Sequence, residues 1–303
     1  MVILTIIATK GGAGKTSVVA NSAAVLADMG FRVLCIDTDV QPSLSKYYPL
    51  HYRAPNGIVE LLLGNNTEQA ITSTISNTVY PNLDIILSNN IVDDVKTNVQ
   101  NRPDRAFLLR TKLTHPCITD NYDIVLIDTQ GSVGVIQDAA AFAATRLLSP
   151  IMPETLSARE FIAGTQSALE RLQHGKIMGL PVPPLSALIY ARDRSKDARM
   201  ISDQIREYFN SSLDGQKQLL QTEVPSAKAY KEAATLRIPV HCHETTHPGK
   251  AEPAKQVMLN LIYELFPAVK DRGCSCHMFG EQLENLLPEE SAATETAGGG
   301  RHE

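Results

Sequence analysis

The chain contains no apolar run near the ~18 residues that a bilayer-spanning helix requires, which excludes such a helix. Its opening residues, MVILTIIATKGG, lack the basic region and the small-residue cleavage site of a signal peptide, and the apolar stretch runs straight into glycines. Cysteine is scarce. Five of them, an odd number at irregular spacing, are too few for a disulfide scaffold, so the expected setting is a reducing cytoplasm. There is no surplus of positive charge either: 28 Lys and Arg against 33 Asp and Glu leave a formal net charge of -5. That excludes a generally basic nucleic-acid coat but leaves room for a local basic patch. No internal repeat is visible. What is present is 303 residues, 43% hydrophobic and 20% charged, ordinary for a globular protein and enough for one large domain or two smaller ones.

Three short apolar runs, Val2 to Ala8, Phe31 to Ile36 and Ile124 to Ile127, are rich in Val, Ile and Leu and end in polar or glycine-containing turns. Runs of this kind suit strands buried on both faces of a parallel sheet. Thr16 to Met29 reads as a helix, with Val18, Val19, Ser22, Ala23 and Leu26 on one face and Gly30 placed to end it. Strand, glycine loop, helix and strand within 37 residues make a βαβ unit, and parallel pairing follows from the right-handed crossover. Asn82 to Leu87 and Leu185 to Tyr190 read as further strands, Glu160 to His174, Asp197 to Phe209 and Ala254 to Leu265 as helices, and Arg237 to Val240 as a last short strand. The expected fold is α/β, a doubly wound, mostly parallel sheet with helices on both faces. Residues 1–267 form its domain, and 268–303 an acidic tail, of which Glu281 to Glu303 has little to bury and is expected to be disordered.

The strongest signal is Lys10, Gly11, Gly12, Ala13, Gly14, Lys15, Thr16, Ser17, placed after a strand and opening a helix. Glycines let backbone N–H groups turn inward as an anion nest, and the helix N-terminus adds partial positive charge. Lys15 is placed for the β- and γ-phosphates of a nucleotide and the Thr16 hydroxyl for Mg²⁺. Six specified residues occur by chance on the order of once in 10⁷ windows. The loop departs from the ordinary G-x-x-x-x-G-K-[ST] pattern: Thr9 replaces its first glycine and a second lysine, Lys10, follows. Lys10 is badly placed for its own γ-phosphate. Two such sites face to face would let each Lys10 reach the partner's phosphates.

The motif K-G-G-x-G-K-[ST] resembles the deviant Walker A of the ParA/MinD/Soj family of P-loop ATPases, and the resemblance runs over about 267 residues. Ile36-Asp37-Thr38-Asp39-Val40-Gln41-Pro42-Ser43-Leu44-Ser45 is similar to the family's D-x-D segment, Tyr122 to Thr129 to its Walker B strand, and Thr222 to Val240 to its closing segment. Asp37, Asp39 and Asp128 stand at strand ends, where ligands of open α/β sheets lie. The resemblance implies that Asp39 positions the attacking water while Asp37 and Asp128 support Mg²⁺ with Thr16. Val40 before Gln41-Pro42, and Gln130-Gly131-Ser132 after the Walker B strand, depart from common family sequences. Gly131 and Gly134 would give that second segment the freedom of a switch loop.

The acidic stretch Glu281 to Glu290 would be repelled by anionic lipid, unlike the basic amphipathic C-terminal helix of MinD-type members, so no membrane partner is expected. Cys35 and Cys117 read as core or loop thiols, not ligands of an iron–sulfur cluster. With the first strand beginning at residue 2, no N-terminal helix-turn-helix is expected. The short ParA/Soj branch remains. It implies an ATP-dependent homodimer, non-specific DNA binding, a stimulating ParB-type centromere-binding protein, and a cytoplasmic, nucleoid-associated location. The alternative is a nucleotide switch that positions a non-DNA cargo. Arg192, Arg194, Lys196, Arg199, Lys228 and Lys231 are the candidate DNA contacts, with Arg237 further along, while Arg192 and Asp193 could belong to the nucleotide pocket. His241-Cys242-His243-Glu244-Thr245-Thr246-His247 and Cys274-Ser275-Cys276-His277 carry metal-ligand residue types. Neither has paired C-x-x-C spacing, and a loop is the favoured reading.

Overall fold

Leu4, Leu126 and Cys35 stand side by side on three neighbouring parallel strands and share one side of a sheet. Ile3, Val125 and Leu34, one residue earlier on each strand, line up on the opposite side. Both rows are buried, so the alternation that marks a one-sided sheet is absent from the sequence, as the apolar runs require. The computed structural model describes residues 1–8, 10–89, 93–131, 134–177, 179–211, 217–276 and 279. Thr9, Ser132, His277 and the segment 281–303 lie outside the described residues.

Among the described residues, nine strands form one sheet in the order β3-β4-β5-β2-β6-β1-β7-β8-β9. They are β1 (Val2–Ile6), β2 (Val33–Asp37), β3 (Leu50–Tyr52), β4 (Ile75–Thr78), β5 (Leu83–Ile86), β6 (Ile124–Asp128), β7 (Arg146–Ile151), β8 (Leu185–Arg192) and β9 (Lys217–Pro225). From β5 to β9 neighbours run parallel, and β3 and β4 add an antiparallel edge. The helices Lys15–Asp28 and Ala254–Leu265 cover one face, and Ile58–Leu63, Leu108–Leu113 and Val135–Ala143 the other. The helix Lys196–Asn210 buries Ala198, Ile201, Ile205 and Phe209, a spacing of three to four residues, against Ile151 and Ala187 of the sheet. Its start is fixed by Ser195, whose Oγ accepts from the Ala198 N–H at 3.0 Å.

The doubly wound architecture agrees with expectation, and three local readings are corrected. Arg237 to Val240 is no strand: Arg237 ends the helix Lys228–Leu236 in a left-handed conformation (φ 59°), and Val240–His243 is a helical turn. Pro239 has no N–H to give a sheet, and the Val240 N–H goes to the Asn21 side chain at 3.1 Å. The loop reading of 241–247 fails at its first residues, since His241 is fully buried in that turn. Packing also runs past residue 267, because Val269, Cys274 and Phe279 belong to the core on the helix Lys15–Asp28 side. Four further strands, β3, β4, β7 and β9, escaped the sequence pattern. Pro150 interrupts β7, and β9 is an edge strand whose polar residues leave only Leu220 and Val224 buried.

Candidate nucleotide site

Register builds the site. Asp128 ends β6, pairs with Ile6 at the end of β1 on one side and with Asp37 at the end of β2 on the other. The phosphate loop leaves β1 at the same level. Its turn is closed by Gly14, the residue that caps the helix Lys15–Asp28, with φ 88°. An added Cβ there would lie 2.1 Å from the Tyr190 ring, so the position excludes any side chain twice over. Lys10, Gly11 and Gly12 are exposed, Ala13 and Lys15 are buried, and Gly14, Thr16 and Ser17 are half-buried.

The Thr16 hydroxyl donates to Asp128 Oδ2 at 2.6 Å. Asp128 is fully buried, and its Oδ1 has no hydrogen-bond partner. Burial, against the Thr16 hydrogen bond and aided by the neighbouring charge of Asp37, pushes its carboxyl up to about 7. Asp37 accepts from the Ser45 hydroxyl at 2.7 Å, the Ser45 N–H at 2.8 Å and the Asp39 N–H at 3.1 Å. Even so, burial holds Asp37 up at about 6. Lys15 is pulled down by burial, against the attraction of Asp128 and Asp39. Asp39 is half-buried; its carboxylate accepts from the Gln41 N–H at 3.0 Å, and its carbonyl from the Ser88 hydroxyl at 2.5 Å.

This arrangement fits a nucleotide with a divalent cation. Two buried carboxylates with a costly charge, one carrying an orphaned oxygen beside a threonine hydroxyl, match what Mg²⁺ requires, and the glycine nest with a buried lysine matches phosphates. The segment after β6 touches the loop: a Cβ on Gly131 would lie 2.6 Å from the Gly11 backbone nitrogen. Thr129, buried, donates from its hydroxyl to the Ile6 carbonyl at 2.7 Å and ties the two segments at their roots.

All the predicted phosphate-loop and carboxylate positions therefore converge. Sequence reasoning missed Tyr190, which packs on Gly14 and bonds the Ser17 side chain, and the clamp that Ser45 makes on Asp37. Ser45 lies eight residues from its partner and Tyr190 on a distant strand, so neither position carried a local signal.

The basic residues divide. Arg194, Lys196, Arg199 and Lys231 are exposed. Arg192 is only 32% exposed and pairs with Glu223 at 3.0 Å, while Lys228 is exposed and pairs with Glu232 along its own helix. Since β8 and β9 are parallel neighbours, the segments after Arg192 and after Pro225 leave the same end of the sheet as the phosphate loop.

Residues 1–174 match the family model described as AAA domain, more than half of the chain. The chain belongs to the ParA/MinD-type P-loop ATPases. Relatives of this ParA/MinD-type chain include a putative replication protein A of Rhizobium rhizogenes, 32% identical over 57% of this chain and 46% of the relative. A probable plasmid-partitioning protein ParA of Thermus thermophilus is 31% identical over 64% and 58% respectively. The ParA/MinD-type chain thus spans about half the length of these curated relatives. The septum site-determining protein MinD of Pyrococcus horikoshii, complexed with Mg-ADP, has the same fold, with a TM-score of 0.63 at 20% identity over 90% of this chain and 98% of that one. Among the described residues, no helix is long and apolar enough to cross a membrane.

Proposed function

We propose that the chain is a partition ATPase that hydrolyses ATP with Mg²⁺, closes as a dimer around the bound nucleotides and holds DNA through phosphate contacts. The observation that carries the reading is the Thr16–Asp128 hydrogen bond, with Asp37 in register beside Asp128 and Lys15 buried between carboxylates. With ATP bound, the cation would neutralise charge that develops on the phosphates. Thr16, Asp128 and Asp37, the last two in part through water, would hold that cation. Lys15 and the loop amides would bind and orient the phosphates, and Asp39 would orient the attacking water.

The exposed start of the loop at Lys10, beside Gly131, supports a role for Lys10 across a dimer, where it would stabilise phosphate charge in the partner's site. The exposed Arg194, Lys196, Arg199 and Lys231, at the nucleotide end of the sheet, would then line one face of the closed dimer and contact DNA without reading sequence. A ParB-type centromere-binding protein would stimulate turnover, and the location would be cytoplasmic and nucleoid-associated. The partly buried pair of Arg192 with Glu223 removes one of the six basic candidates, Lys228 staying exposed beside Glu232, and favours a second reading, a nucleotide switch for a non-DNA cargo. Filter retention of DNA at graded salt, with ATP, ADP and no nucleotide, decides between them. ATP-dependent retention that falls steeply with salt is the expected result; none at low salt would leave the cargo switch.

A further inference from the structure

The residues Asp28, His241, Cys242, Cys274 and Cys276 come from three distant parts of the chain: the last residue of the helix Lys15–Asp28, the helical turn Val240–His243, and the segment after the last long helix. Donor atoms of His241, Cys242 and Cys276 lie within 4.8 Å of one another, as do those of Asp28, His241 and Cys274. The Cys276 thiol donates to the His241 carbonyl at 3.7 Å and neighbours the thiols of Cys242 and Cys274. The Cys274 thiol donates to Asp28 Oδ2 at 2.6 Å, and the Cys276 N–H donates to the same oxygen at 2.9 Å.

His241 has no exposed surface, and neither ring nitrogen makes a hydrogen bond; Nε2 stays 3.6 Å from Asp28 Oδ2. Asp28 Oδ1 is likewise buried and unpartnered. A buried imidazole with two unsatisfied nitrogens costs stability that folding has no reason to leave unrecovered. The two triads meet at His241, which brings three sulfurs and one imidazole into one neighbourhood, Cys274 and His241 buried and Cys242 and Cys276 half-buried, and these are the donor types of a tetrahedral structural zinc ion. Asp28 stands where a carboxylate receives the second N–H of a ligating histidine, which leaves Nδ1 for the metal.

We propose that Cys242, Cys274, Cys276 and His241 bind a Zn²⁺ ion as a structural site, with Asp28 orienting His241. The ion links the far end of the phosphate-loop helix to the C-terminal segment. It lies about 20 Å from Gly14, given 14 helical residues at ~1.5 Å each, so it is a clamp and not part of the phosphate chemistry. Phe279 closes the site: its ring centroid is 6.1 Å from that of His241 and 4.9 Å from that of Tyr80. The site also accounts for the buried Cys274 and Phe279 beyond the last long helix. Binding would release protons from three thiols to solvent and involves no change of oxidation state.

Metal content of the full chain, purified under reductant and dialysed against added Zn²⁺, tests this. One zinc per chain is expected, retained in D128N, which disables the Mg²⁺ site. Cobalt replacement should give the intense visible bands of a tetrahedral ion together with thiolate-to-metal charge transfer. Cys242 and Cys276, the two half-exposed thiols of the cluster, should resist alkylation until a chelator is added, whereas the buried Cys35 should resist it either way. C276S should lose the cobalt charge-transfer band and most of the metal; if C276S does not fold, the cobalt spectrum and thiol protection of the wild-type chain decide the question alone. Substoichiometric zinc, an octahedral cobalt spectrum without charge transfer, or a disulfide among Cys242, Cys274 and Cys276 in the reduced preparation would overturn the proposal. The proposal is independent of the nucleotide reading, since it predicts zinc whether or not ATP is turned over.

Discussion

Gly14 and Tyr190 meet so closely that a methyl group on Gly14 would sit 2.1 Å from the tyrosine ring, and Gly14 holds φ at 88°. G14A is therefore expected to strain the loop in two ways. Left-handed backbone costs a non-glycine residue roughly 1–2 kcal/mol, and the ring must move. ATP affinity, measured by titration, should fall by at least ~10-fold. The double variant G14A/Y190A should regain only part of it, because the backbone term remains. Full recovery would place the whole effect in the collision.

Asp128 makes the apoprotein less stable as pH rises. Its carboxyl moves from an ordinary 3.8 to about 7 in the folded chain, so between these values the folded state keeps a proton that the unfolded state has released. Stability from this group then falls as pH climbs through that window. Asp37, raised to about 6, acts with the same sign. D128N should melt at a higher temperature than wild type at pH 8 without nucleotide, and the difference should shrink towards pH 4. Mg²⁺ with ATP should raise the melting temperature of the wild type and do little for D128N. Equal melting of the two apoproteins across pH would contradict the buried-charge account.

Lys10 is tested by mixing. K10A alone and D39N alone should each lose turnover, K10A on the order of 10³-fold if the lysine acts as a finger in trans. A mixed dimer has one complete site, in which the D39N protomer supplies Lys10 to the intact Asp39 of the K10A protomer. Mixing the two inactive variants should therefore restore measurable ATPase activity. No restoration in a verified mixed dimer would place Lys10 in its own site.

The basic residues make different predictions by their pairing. R194E/K196E/R199E should weaken DNA retention and reduce the salt dependence by ~0.9 in log–log slope per lost phosphate contact, with basal ATPase unchanged. R192Q should act through stability instead, because it strips Glu223 of a partner at 3.0 Å and leaves that carboxylate leaning on Arg206. Thermal melting separates the two: a shift is expected for R192Q and none for the triple variant.

Legibility followed distance along the chain. The phosphate loop is eight consecutive residues whose glycines, lysine and threonine act through their own backbone and the helix they open, so local sequence contains the whole device. The three aspartates were legible as strand ends, because apolar runs stop where a parallel sheet meets solvent. β7 and β9 were not legible: Pro150 breaks one pattern, and an edge position removes the apolar demand from the other.

The order of residues by itself determined a two-faced parallel sheet and a phosphate-binding turn, since each depends on side chains within a few positions of one another. Tertiary structure alone decided which carboxylates share a register, that Tyr190 roofs Gly14, and that cysteines on either side of the last long helix converge on one histidine. Contacts between residues 30 to 250 positions apart leave no periodicity in a sequence; packing of the layers creates them.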